Sequence, residues 1–131
     1  MKRRVPIVVL TIVVALAAVF LPGLIASRQP AREMIVVARG MTYYVNGAPT
    51  PNPELQFVQG EEVHLVFRNE DKGMLHDFRI ASWRVATGLV EGGRERSIEF
   101  TVPAGPDVPT TATYTCTPHA AMMAGGVTLR R

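Results

Sequence analysis

Near the C-terminus, the stretch Tyr-Thr-Cys-Thr-Pro-His-Ala-Ala-Met-Met from Tyr114 to Met123 places the chain's single cysteine, Cys116, three residues before His119 and six before Met122. A second histidine, His76, lies 40 residues upstream of Cys116. A thiolate, two imidazoles and a weakly bound thioether form a soft donor set. It suits a copper ion that changes oxidation state by one electron, because such an ion needs a site that alters little between its two states. The candidate metal ligands are therefore His76, Cys116, His119 and Met122. Met123 is the neighbouring alternative to Met122, since methionine also fills cores readily. A lone cysteine is more often a small buried apolar group than a ligand, but this one has His119 and Met122 close behind it. Thiolate is the ligand form, so binding a metal here releases a proton. His64 has no such company and reads as a surface histidine. Met34, Met41, Met74 and Trp83 read as packing residues.

A rigid scaffold must bring His76 to the Cys116 loop, and the pattern around both is that of short strands. Met34 to Arg39 is rich in β-branched residues, and Tyr43 to Val45 is a second short piece. Asn46-Gly47 is a turn signal, and the Pro-rich stretch after it excludes a helix. Leu55 to Gln59 and Glu62 to Asn69 flank Gly60; in the second, Val63, Leu65 and Phe67 alternate with His64, Val66 and Arg68, as in a strand with one face in a core. His76 to Ala81 resumes that alternation and puts His76 on the inward face with Phe78 and Ile80, opposite Asp77 and Arg79. Ser97 to Val102, Thr111 to Cys116 and Gly126 to Arg130 complete the set. Many short strands, frequent turns and no helical period after residue 26 predict an all-β fold, an antiparallel sandwich or barrel.

The formal charge of the 131-residue chain is +3, and Lys2, Arg3 and Arg4 account for all of it. Residues 27 to 131 hold 11 basic and 11 acidic side chains, so the domain is formally neutral and nucleic-acid binding loses its main support. After the basic triplet, residues 5 to 26 carry no charge and only Thr11 as a polar side chain, long enough to span a bilayer. Residues 1–26 thus read as an N-terminal membrane anchor or a signal segment, residues 27–33 as a tether and residues 34–131 as one domain. In either case the positive-inside rule sends the domain to the extracytoplasmic face of the membrane. A single cysteine in that compartment has no internal disulfide partner, and metal ligation explains it.

These residues carry a family resemblance. Leu55 to His76 resembles the cupredoxin pattern of a strand, a Gly turn, a second strand ending in Asn-x-Asp, and then the first copper histidine. The Tyr114 to Met122 loop is similar to that of amicyanin and close to the loops of plastocyanin and pseudoazurin, and Phe100 to Pro103 matches the strand that usually precedes it. The resemblance implies a Greek-key β-sandwich of about eight strands holding one type 1 copper ion on His76, Cys116, His119 and Met122. It also implies outer-sphere electron transfer rather than catalysis, and no nucleophile with its base suggests an enzyme. Asp77 stands where these proteins commonly have Asn; its carboxylate could accept a backbone N–H from the cysteine loop. Pro106, Pro109 and a run of threonines precede Tyr114 where a glycine is usual. The related oxidase domain with two coppers needs two cysteines, one more than this chain has. By the same resemblance His119 is the electron port, and Met74, Leu75, Pro49, Pro118, Ala120 and Ala121 form an apolar rim for redox partner proteins. The expectation is a monomeric, extracytoplasmic, membrane-anchored carrier of single electrons; the alternative is a copper storage or delivery module serving an oxidase.

Overall fold

A computed structural model describes residues 29–131, so the anchor or signal segment expected over residues 1–26 lies outside the described residues. Among these residues the chain forms eleven strands and one 3-10 turn, Ala81–Trp83. The strands are β1 (Arg32–Ala38), β2 (Tyr43–Val45), β3 (Leu55–Val58), β4 (Glu62–Asn69), β5 (Leu75–His76), β6 (Arg79–Ile80), β7 (Val85–Ala86), β8 (Val90–Glu91), β9 (Glu95–Thr101), β10 (Thr111–Thr115) and β11 (Ala124–Arg130). One sheet has the order β2-β1-β4-β9 and the other β3-β11-β10-β6-β7, while β5 and β8 form a small ribbon. The all-β sandwich expected from the sequence is the observed architecture, and no helix among the described residues is long and apolar enough to cross a membrane.

The alternating side chains explain how the sheets face each other. Val63, Leu65 and Phe67 of β4 and Met34, Val36 and Ala38 of β1 are buried, while Arg68 stays in water. Phe57, Ile80, Tyr114 and Leu129 close the core from the opposite sheet, with Phe78 just before β6. At its centre Tyr43 meets Phe67, Phe78 and Tyr114 edge-on, with ring centroids 6.3, 5.8 and 5.5 Å away. Both buried phenols find acceptors: Tyr43 donates to the Asp77 carbonyl, and Tyr114 to that of Pro53 at 2.7 Å.

Two features depart from the sequence expectation. First, the sheets are mixed, because β1 pairs in parallel with β4, and β3 with β11. A parallel neighbour requires a crossover. The Pro-rich loop after β2 supplies it, carrying the chain to the other sheet before β4 returns beside β1; the period-2 pattern is the same for either strand direction. Second, the single strand expected from His76 to Ala81 is divided between the ribbon and the second sheet. The break falls at Asp77, which is 4% exposed rather than solvated, and the Phe78 N–H is taken by Thr87 Oγ1 at 3.0 Å.

The parallel β1–β4 pair also sets the polarity of the domain. It runs in register from Arg32 and Val63 to Ala38 and Asn69, roughly 20 Å of extended chain. The chain thus enters at one end of the sandwich, and the turn leading to His76 leaves from the other.

Tyr114 lies against Gly125, its partner across the β10–β11 ladder, so closely that a Cβ on Gly125 would overlap the phenol ring. A Cβ on Gly126 would meet Glu54 Cγ at an ordinary 3.7 Å. Gly125→Ala should therefore lower the unfolding free energy by about 1–3 kcal/mol through overpacking, read by urea denaturation of the metal-free protein, and Gly126→Ala should leave it nearly unchanged.

Candidate metal centre

Two donors are delivered by strand ends and the third by the turn between two strands. His76 closes β5; Cys116 follows β10 directly; His119 sits in the turn that joins β10 to β11. That turn is wound tightly: the His119 N–H reaches the Cys116 carbonyl at 3.3 Å, and the Met122 and Met123 N–H groups both reach the His119 carbonyl, at 3.0 and 2.9 Å. The Cys116 N–H donates to the Met123 carbonyl at 2.9 Å and seals its base. From outside, Asn52 Nδ2 donates to the Met122 carbonyl at 3.0 Å.

The result is a convergence of three donor atoms. His76 Nδ1 and His119 Nδ1 lie 3.0 Å apart, and Cys116 Sγ is 3.6 Å from the first and 3.7 Å from the second. For metal–nitrogen bonds of about 2.0–2.1 Å and a metal–sulfur bond of about 2.3 Å, these separations are the edges of a triangle with one ion among its corners. The donor set therefore fits copper, which when bound supplies a centre that gains and loses one electron. Cys116 and His76 are both fully buried, whereas His119 is partly exposed.

The two methionines that the sequence left as alternatives differ in burial. Met122 is 60% exposed, while Met123 is fully buried and clusters with His76, Cys116 and His119. One turn of helical winding after His119 sends successive side chains in different directions, and the bond from the Cys116 N–H to the Met123 carbonyl puts residue 123 opposite the cysteine. Both spacings were available in the sequence; only the winding of the turn distinguishes them.

Two carboxylates brace the site. Asp77 takes the Thr117 N–H on Oδ1 at 2.5 Å and the Thr117 hydroxyl on Oδ2 at 2.6 Å, the bond to the cysteine loop that its position suggested. Asp71, to which the sequence reading assigned no role, lies 3.0 Å from His76 Nε2 through Oδ2. The signal for it was the Asn-x-Asp pattern: Asn69, fully buried, accepts the Asp71 N–H on Oδ1 at 3.0 Å and donates from Nδ2 to the Met74 and Val90 carbonyls, each at 2.9 Å. Burial alone would raise the Asp71 carboxyl, but the Met41 and Gly40 N–H groups and His76 outweigh it and hold it below the usual carboxylate value. Burial, with the Asp77 charge adding to it, pushes the Cys116 thiol up against the Asp77 and His119 N–H groups. In the metal-free protein the thiol thus keeps its proton at neutral pH, and metal uptake displaces it. His64 is partly exposed beside Glu99, 3.4 Å away, well apart from the cluster in sequence and pairing.

A two-sheet sandwich that closes a buried thiol and two imidazoles at one end defines a cupredoxin domain. The chain belongs to the plastocyanin/azurin family of copper binding proteins, whose family model matches residues 32–130. Among solved structures it resembles rusticyanin from Thiobacillus ferrooxidans, with 24% identity over 75% of this chain and 76% of that one and a TM-score of 0.59. Auracyanin from Roseiflexus castenholzii matches at 18% identity over 78% of this chain and 98% of that one, also with a TM-score of 0.59. A reduced Cu(I) amicyanin variant matches at 21% identity over 80% of this chain and 87% of that one, with a TM-score of 0.50. No curated protein sequence matches the chain. The family and the donor set together make this an electron-transfer-type copper protein with one copper as its cofactor.

If Met123 is the axial donor, Met123→Leu should shift both the thiolate-to-copper absorption and the reduction potential. Met122→Leu should change neither, and visible spectroscopy with redox titration of the copper-loaded pair checks this.

Proposed function

We propose that this protein is an extracytoplasmic, membrane-anchored carrier that takes one electron from a donor protein and passes it to an acceptor through His119. The observation that carries this reading is the asymmetry of the donors: His76 and Cys116 are fully buried, while the His119 ring is partly open to solvent. Around that opening Pro118, Ala120 and Ala121 are exposed, as are Leu75 at 47% and Met122 at 60%. An apolar collar is a surface on which partners can dock briefly and leave, which a carrier requires. The polarity of the β1–β4 pair adds to the reading. A chain tethered before Arg32 would enter at the end of the sandwich away from the turn that leads to His76, and the port would face redox partners rather than the lipid. The neutral domain, with its charge excess confined to Lys2, Arg3 and Arg4, fits protein partners better than nucleic acid.

Met122 favours a second reading. A methionine that is 60% exposed three residues after His119 offers a soft donor in the ligand loop, as a module that stores copper or delivers it to an oxidase would use.

Adding Cu(II) to the full-length protein separates the two. A carrier develops an intense thiolate-to-copper charge-transfer band that Cys116→Ser abolishes, whereas a colourless complex would contradict the carrier reading. In the coloured protein, Leu75→Asp or Ala121→Asp should slow bimolecular electron transfer by roughly tenfold, equivalent to about 1.4 kcal/mol, without bleaching the band. Unchanged transfer in both variants would refute the port.

A further inference from the structure

His76 has a ring nitrogen that the metal cluster leaves unused. Its Nδ1 faces Cys116 Sγ and His119 Nδ1 at 3.6 and 3.0 Å, and its Nε2 lies 3.0 Å from Asp71 Oδ2. The ring is fully buried and the Asp71 side chain is only 14% exposed. In a neutral imidazole one nitrogen donates and the other accepts. A carboxylate can only accept, so the proton sits on Nε2 and the lone pair on Nδ1.

The carboxylate itself is built in. The Gly40 N–H donates to Oδ1 at 2.6 Å and the Met41 N–H to Oδ2 at 3.0 Å. Both residues have φ of 58°, an unusual left-handed pair in the β1–β2 turn, and it brings two consecutive N–H groups onto one side chain. Asp71 is held from below by Asn69. On its flank, a Cβ at Gly92 would overlap the Asp71 carbonyl and sit 2.7 Å from Lys72 Cα, so the turn before β9 packs directly on this backbone. The Gly40–Met41 turn thus holds the carboxylate itself, Asn69 and the Gly92 turn hold the backbone that carries it, and the carboxylate touches one metal ligand.

We propose that Asp71 is the positioning residue of the metal centre: fixed by the Gly40 and Met41 N–H groups, it holds the buried His76 ring in the Nε2–H tautomer and keeps Nδ1 directed at the ion. The proposal rests on the copper reading of the site. Carboxylate–histidine–metal relays of this kind orient the ring and raise its donor strength. Asp77 has a different task, since it braces Thr117 and the cysteine loop. Asp71 ties His76 to the first sheet.

The test is a two-bond nitrogen–proton correlation spectrum of the 15N-labelled, metal-free, full-length protein, which reads the His76 tautomer without copper. The wild type should show His76 as a single Nε2–H form. Asp71→Ala removes the acceptor. Asp71→Asn, nearly the same size, offers one oxygen where Gly40, Met41 and His76 present three donors to two. In both variants the Nε2–H population should fall, with the backbone spectrum of the sandwich retained. In the copper-loaded protein, Asp71→Asn should keep the thiolate band and shift the reduction potential upward, because a negative charge beside the ligand has gone. A wild-type His76 carrying its proton on Nδ1, or on both nitrogens, overturns the proposal, and so does an unchanged tautomer in both variants. A wild type with no thiolate band on adding Cu(II) would instead overturn the copper reading and leave the tautomer result standing.

Discussion

Two imidazole nitrogens 3.0 Å apart, with a thiol sulfur within 3.7 Å of both, form a crowd of lone pairs that a flexible chain would relax. Holding it requires each donor to be fixed separately, and the rest of the domain can be understood as meeting that requirement. His76 is fixed by Asp71 and, through Asn69, by the end of β4. Cys116 is fixed by the closed turn it opens, and the turn by Asp77 through Thr117. The aromatic cluster of Tyr43, Phe67, Phe78 and Tyr114 keeps the two sheets at one spacing, so these local braces share a rigid frame. A site already near its bound geometry has little to rearrange when the charge on the ion changes, and this physical property separates an electron carrier from a simple metal binder.

Much of this was legible in the sequence, and for identifiable reasons. The Glu62 to Asn69 alternation is long and clean, so β4 and its buried face follow from period alone. Cys116 and His119 declare themselves because soft donors so close together in a short loop have few other uses. His76 was placed inward by its register with Phe78 and Ile80, and it is buried as expected, although the strand holding all three is broken at Asp77. The break was hidden because its cause, hydrogen bonds from the Thr117 N–H and hydroxyl to Asp77 and from the Phe78 N–H to Thr87, joins residues in different segments of the chain.

The same limit accounts for the methionine and for Asp71. Cys-x2-His-x2-Met and Cys-x2-His-x3-Met coexist in this loop, and the difference in burial between Met122 and Met123 depends on the winding of the turn, which no spacing rule contains. Asp71 sits in a turn of charged residues, where a solvated carboxylate is the ordinary reading. Its task appears only when the β1–β2 turn, 30 residues earlier, is brought alongside. The strands β7 and β8 were missed because two-residue pairs carry no periodicity.

The central claim is that a single copper ion sits among His76 Nδ1, His119 Nδ1 and Cys116 Sγ. X-ray absorption fine structure at the copper edge of the loaded full-length protein addresses it most directly. The predicted result is one short copper–sulfur distance and two imidazole nitrogens on a lone copper, with the short sulfur lost in Cys116→Ser. A spectrum with no short sulfur, or with a second copper within bonding range, would contradict it.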